Sequence, residues 1–208
     1  MPIASSAGQP VLPGARQLVL HGPDDPQRHD VESFIRGVFA RRFGATLTRL
    51  APWLVSLRDE AGIVAAAGYR PGVDGPLFLE HYLDAPVEDR LASFEGRAPA
   101  RASIVEVGHL AAARAGEGRR LILQLGPHLA AQGFQWVVST LTEELRQLFV
   151  RLGVVPYALG RADAAALGDA ARDWGSYYEH RPVVLAGQLP LALRQLRQRG
   201  LADHGGTA

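Results

Sequence analysis

Two short stretches hold most of the residues whose types and spacing suit them to chemistry. In residues 104–107 (IVEV) Glu106 sits inside an apolar run, where an unpartnered carboxylate is costly. The loop that follows, ARAGEGRR, places Gly116 and Gly118 before a helical pattern, with Arg114 and Arg119 beside them and Glu117 between them. Such glycines let the backbone turn tightly with converging N–H groups, and the helix start adds partial positive charge. The pattern suits an anion, most simply a pyrophosphate, although a glycine pair before a helix also serves as a plain turn. A general base is a carboxylate or neutral imidazole within hydrogen-bond reach of the proton it takes. Glu106, His109 and Glu80 are the candidates for that base. For each a plainer role stands beside the catalytic one: Glu106 facing outward or paired with an arginine, His109 on a solvent-facing loop, Glu80 turned to solvent. Tyr178, with Trp174 and Tyr177, offers either a pocket wall with a phenol acid or ordinary core packing. Ser139 and Thr140 end an apolar run and either face a cleft or satisfy local backbone. No metal-ligand spacing, nucleophile elbow or Walker loop is present.

The elements that must position these groups follow from periodicity and punctuation. Residues 16–21 read as a first strand, stopped by GPDDP. Val31, Phe34, Ile35, Val38 and Phe39 at helical spacing predict an amphipathic helix to about Phe43. Residues 53–58 and 63–70, separated by DEAG, predict an antiparallel hairpin. Residues 77–83 fit a strand or a short helix; as a strand, Glu80 and His81 would face opposite sides. Further helices are expected over 87–94, 119–132, 143–152 and 163–172, and strands over 104–107, 134–141, 154–159 and 177–189, the last broken by Pro182. The sum is one α+β domain over residues 15–199, an α/β sandwich with a mixed, largely antiparallel central sheet flanked by helices, between flexible tails at 1–14 and 200–208.

Composition removes several function classes. All 22 basic residues are Arg, against 21 acidic ones, and the net charge of +1 lacks the basic excess of a nucleic-acid footprint. With no Cys, thiolate metal sites, disulfides and a Cys nucleophile are excluded. The N-terminus lacks a signal-peptide pattern and no segment reaches membrane-span length, so a cytoplasmic location is expected.

The order hairpin, strand, G-x-G loop, helix, strand, then a helix ending in LFVRLGV resembles the GCN5-related N-acetyltransferase fold. The closer resemblance is to the thermostable haemolysin family, an acetyltransferase-like branch related in shape to acyl-homoserine-lactone synthases. It is carried by AAAGYRP (65–71), PLFLEHYLD (76–84), IVEVGHLAA (104–112), FVRLG (149–153) and WGSYYE (174–179), spread over residues 31–190. The resemblance implies an N-acyltransferase that moves an acyl group from a phosphopantetheine thioester, acyl-CoA or acyl-carrier protein, to a small-molecule amine by direct attack. It implies a splayed strand at Val107, Gly108 and Leu110 that binds the pantetheine arm and polarises the thioester. A pyrophosphate loop at Arg114, Gly116, Glu117, Gly118 and Arg119 would follow, with substrate handling by Glu106. The chain departs from the pattern at Ala113, where Gln or Arg is usual, at His109, where Asn is expected, and at Phe149, where a Tyr often protonates the departing thiolate. An acidic carrier protein could meet Arg119 and Arg120, and a homodimer is compatible with this reading. The other class of function is a non-catalytic binding or membrane-perturbing protein that keeps the fold.

Overall fold

The computed structural model describes residues 16–201, so the tail expected at 1–14 and all but the start of the one at 200–208 lie outside the described residues. The elements run β1 (Gln17–His21), α1 (Arg28–Phe43), β2 (Trp53–Asp59), β3 (Gly62–Pro71), α2 (Val87–Glu95), β4 (Ile104–Ala112), α3 (Glu117–Ala131), β5 (Trp136–Leu141), α4 (Glu143–Leu152), β6 (Tyr157–Arg161), β7 (Val183–Gln188) and α5 (Leu189–Gln198). The strands form one sheet in the order β1-β2-β3-β4-β5-β7-β6, antiparallel throughout except for the β4–β5 pair. This is the expected α+β architecture with a largely antiparallel sheet.

Helices cover both faces. Leu121, Leu125 and Leu129 of α3, Leu152 of α4 and Leu189, Leu193 and Leu196 of α5 bury against Val55, Leu57 and Val105. On the opposite face Val31, Ile35, Phe39 and Phe43 of α1 pack on Leu54 and Ala66, while Val87 and Leu91 of α2 pack on Ile104 and Val138. Each such side chain contributes about 1.5–3 kcal/mol of burial.

Of the two readings open for residues 77–83 the short helix holds, as a 3-10 turn (Phe78–Tyr82), so Glu80 and His81 do not alternate across a sheet. Departures from the sequence reading also bear on the site. β4 continues to Ala112, through the segment read as loop, because its outer edge stays paired to β3. Residues 177–189 are a 3-10 turn (Tyr177–His180) followed by β7, and the expected helix over 163–172 is likewise 3-10 (Ala164–Trp174), kinked at Gly168. The sequence reading assigned nothing to α5, although Leu189, Leu193 and Leu196 recur at helical spacing. Its last turn leads to Leu201, whose N–H bonds the Leu196 carbonyl at 2.9 Å, so the chain is still packed past Gly200.

Candidate active site

β4 and β5 pair in parallel only at Ile104, Val105 and Glu106, opposite Trp136, Val137 and Val138. Beyond that point β5 pairs with β7 alone, and the inner edge of β4 from Val107 onward has no strand partner among the described residues. A cavity of about 1180 Å³ occupies the gap and reaches both faces of the sheet. Val107, Gly108 and Leu110 line it, as do Ser139 and Thr140 at the parted end of β5. The Thr140 hydroxyl has no partner among the described residues.

A bulge in β4 brings the two candidate bases to one face. The register with β3 shifts between Ala66 and Gly68, which pair with Ala111 and Gly108 and leave His109 and Leu110 opposite Ala67. His109 takes φ 54°, uncommon for a residue with a Cβ and frequent at functional sites. The extra residue reverses the alternation. Val105, Val107, Leu110 and Ala112 therefore pack toward α3, while Ile104, Glu106, His109 and Ala111 lie on the α1 side.

On that side the Glu106 carboxylate is buried and lines the cavity. It accepts backbone N–H groups from Phe78 at 2.7 Å and Leu79 at 2.9 Å, the start of the 3-10 turn. Burial raises its pKa; those two bonds and the charge of Arg70 oppose the rise without cancelling it. His109 lies flat against the Trp174 indole at 6.2 Å and beside Phe39. Burial, and secondarily the charge of Arg36, lowers its pKa to about 4, so it is neutral at pH 7 with Nδ1 unpartnered among the described residues. Glu106 is thus better matched than His109 to a base working near neutrality.

Glu80 has a different situation. Its carboxylate is bound by Arg101 at 2.7 and 2.8 Å and accepts the N–H groups of Leu77 and Val87, away from the cavity that Glu106 lines. These bonds and the Arg101 charge outweigh burial and hold its pKa at about 2, which fits a structural anchor and not a proton acceptor. Tyr178 shares a hydrogen bond of 2.7 Å with the hydroxyl of Tyr82, and it is Tyr82, not Tyr178, that lines the cavity. Burial raises both phenols. Tyr177, which does line the cavity, donates to the Thr140 carbonyl at 3.1 Å. Phe149 lies on the wall as well, so no hydroxyl stands at that position.

At the α3 mouth, Gly116 is the N-cap with φ 88°, a conformation that favours glycine, and the helix runs on from it. Gly118 and Arg119 lie in the first turn, whose N–H groups have no intrahelical acceptor. Arg114, Gly116, Gly118 and Arg119 border the cavity, and both arginines are exposed. Glu117 turns the other way, binding Arg16 at 3.1 Å and packing the helix start onto β1. It therefore sits with the structural scaffold and not with the loop groups that border the cavity.

The sequence reading did not single out Ser56, His21 and Asp25, which form a serine–histidine–aspartate chain with Ser56 Oγ to His21 Nε2 at 2.8 Å and His21 Nδ1 to Asp25 at 3.4 Å. Ser56 and His21 have no exposure and do not line the cavity, so the chain ties β1 to β2. Arg70 and Tyr82 are also new members of the cavity wall; the pairing of β3 with β4 was the signal for Arg70.

The structure is similar to TofI, solved in complex with an inhibitor and MTA, at TM-score 0.61 and 19% identity over 87% of this chain and 96% of that one. It is similar to BjaI, a CoA-dependent acyl-homoserine lactone synthase solved with SAM and isopentyl-CoA, at TM-score 0.60 and 16% identity over 89% of each chain. FeeM, an N-acyl amino acid synthase from uncultured soil microbes, matches at TM-score 0.60 and 13% identity over 88% of this chain and 97% of its own. At such identities the likeness is one of fold. No curated protein matches the chain. The family described as Thermostable hemolysin matches residues 21–193, most of the sequence, and this chain belongs to that family.

Proposed function

We propose that the chain is an N-acyltransferase that moves an acyl group from a phosphopantetheine thioester, carried by CoA or an acyl-carrier protein, to an amine. The observation that carries this reading is the parting of β4 and β5 at Glu106. It opens a passage from the glycine loop at Gly116 on one side to the buried carboxylate on the other. The similarity to BjaI, which binds isopentyl-CoA, and to FeeM supports it. Among the described residues no helix is long and apolar enough to cross a membrane.

In this reaction the pyrophosphate lies on the first turn of α3, near Arg114 and Arg119, and the pantetheine arm runs along the free edge of β4. Glu106 takes a proton from the ammonium, directly or through one water. The amine nitrogen then bonds to the thioester carbonyl carbon, whose oxygen is stabilised by backbone N–H groups of the parted strand. The tetrahedral intermediate collapses with cleavage of the C–S bond, and the nitrogen gives up its second proton to solvent, leaving the amide. With Phe149 where an acid would stand, the sulfur leaves as thiolate, feasible for a thiol of pKa near 8.5. The contribution of the protein is mainly positioning.

The acyl chain extends into the apolar part of the cavity between α3, α4 and α5, lined by Leu125, Leu129, Leu148, Leu152 and Leu193. Gly126 forms part of this wall, and a Cβ there would meet Leu193 at 3.4 Å. Gly126→Phe is expected to lower kcat/KM for long acyl donors relative to acetyl by about 10- to 100-fold, as a few lost methylene contacts would. A donor-length series checks this.

The reading as a whole is tested by calorimetric titration with CoA, acetyl-CoA, a long-chain acyl-CoA and a phosphopantetheinylated carrier protein. Saturable binding of CoA or of the carrier is expected. A Cβ at Gly118 would point toward Ala112 and Leu110 at 3.6 and 3.7 Å, into the mouth. Gly118→Trp should therefore weaken CoA binding at least tenfold, about 1.4 kcal/mol. Binding to the carrier alone would assign the donor and give Arg119 and Arg120 the role of meeting its acidic surface. Binding to neither, with liposome leakage by the same preparation, would overturn the transferase reading.

A further inference from the structure

We infer that the acceptor amine carries its own carboxylate, bound by Arg70 while Glu106 holds the amine, so that the acceptor is an α-amino acid with an apolar side chain. This rests on the acyltransferase reading above.

Arg70 and Glu106 are direct cross-strand partners in the β3–β4 register, so their side chains leave the same face of the sheet as neighbours. Both line the cavity, yet they do not form an ion pair: the carboxylate is taken up by the Phe78 and Leu79 N–H groups. The contrast with three other part-buried arginines is informative. Arg28 is bound by Glu32 and the carbonyls of Ala51 and Pro52, Arg36 by Glu32 and the Leu47 carbonyl, and Arg101 by two carboxylates and two carbonyls. Arg70 is also part-buried, and among the described residues it makes no hydrogen bond or ion pair. A part-buried guanidinium that lines a cavity with its donors unused is matched by a carboxylate, which it binds through two parallel N–H bonds. Opposite charges on neighbouring strand positions match an ammonium and a carboxylate on one carbon. The adjoining wall of Phe78, Tyr82 and Trp174 is aromatic and suits an apolar side chain.

Thiol release is measured with acetyl-CoA and a long-chain acyl-CoA against three acceptors of one skeleton: phenylalanine, phenylalaninamide and 2-phenylethylamine. The highest kcat/KM is expected with phenylalanine. Arg70→Gln should lower kcat/KM for phenylalanine about 10- to 100-fold more than for 2-phenylethylamine, chiefly through KM, the loss typical of a hydrogen bond to a charged group. Arg70→Lys, which keeps the charge and loses the fork, should fall between. Thermal melting reports whether each variant is folded. Equal turnover of the three acceptors, or an equal loss on all three in a folded Arg70→Gln protein, overturns the inference while leaving the acyltransferase reading intact. No thiol release with any amine by a protein that binds neither CoA nor carrier overturns the acyltransferase reading instead.

Discussion

Glu106→Gln is expected to lower kcat by about 10²- to 10⁴-fold, the usual worth of a positioned base, in a protein that still folds. The carboxylate lines the cavity on the α1 side of the parted strands, is fixed there by the Phe78 and Leu79 N–H groups, and has its pKa raised by burial. Its pKa is raised chiefly by burial, so the acidic limb of the pH–rate profile should lie above the ordinary carboxylate range and vanish in the Gln variant. His109, titrating at about 4, cannot produce such a limb. Stability moves the other way. A carboxyl whose folded pKa is raised favours the folded state below its unfolded pKa and loses that contribution as pH rises through the folded value. Gln is neutral throughout and escapes this loss, but its amide presents an NH₂ to one of the Phe78 and Leu79 N–H groups, which costs about 1–3 kcal/mol. The stability of the Gln variant relative to the parent should therefore improve from pH 4 to pH 8. Parallel melting curves check this, and retained turnover in a folded Gln variant would remove Glu106 from the chemistry.

The motif order along the chain made the sheet and the cleft legible, because the hairpin, the G-x-G loop and the β5–α4 junction are each local patterns of spacing. Glu106 and His109 were legible as types in place, yet nothing local says that they share a face. By strict alternation they would lie on opposite sides, and only the bulge opposite Ala67, a matter of β3–β4 register, joins them. The roles of Glu80 and Tyr178 were hidden for a related reason. Each is decided by a partner distant in sequence: Arg101 for the one, Tyr82 for the other. The same holds for Arg70, which makes no hydrogen bond or ion pair among the described residues where Arg28, Arg36 and Arg101 make several. Residues 77–83 fit strand and helix equally by periodicity; the Glu80 carboxylate, capping the Leu77 N–H at 2.8 Å, settles the segment as a 3-10 turn.

Arg101→Ala is expected to destabilise the fold by about 3 kcal/mol, the low end of the cost of breaking a buried pair because the guanidinium keeps some exposure. One side chain holds the Glu80 and Glu88 carboxylates and the carbonyls of Gly72 and Gly75, and all four lose their partner together. Melting temperature should fall by roughly 10 °C for a domain of this size. Acid titration carries the same signature. With its folded pKa near 2, Glu80 contributes stability that is fully present above its unfolded pKa of 4.5 and is lost as pH falls through about 2. The parent should lose about 3 kcal/mol over that window through this group, and the Ala variant much less of it. The consequence reaches the chemistry through a short chain of contacts. Arg101 fixes Glu80; Glu80 caps Leu77 and Val87; and the turn so held supplies the two N–H groups that aim Glu106 into the cavity. Arg101→Ala should therefore lower kcat at temperatures where the protein is still folded, with donor affinity less affected because the α3 mouth is formed by other elements. Equal losses in kcat and in CoA affinity would show instead that the whole sheet has loosened and that the turn does not position Glu106 on its own.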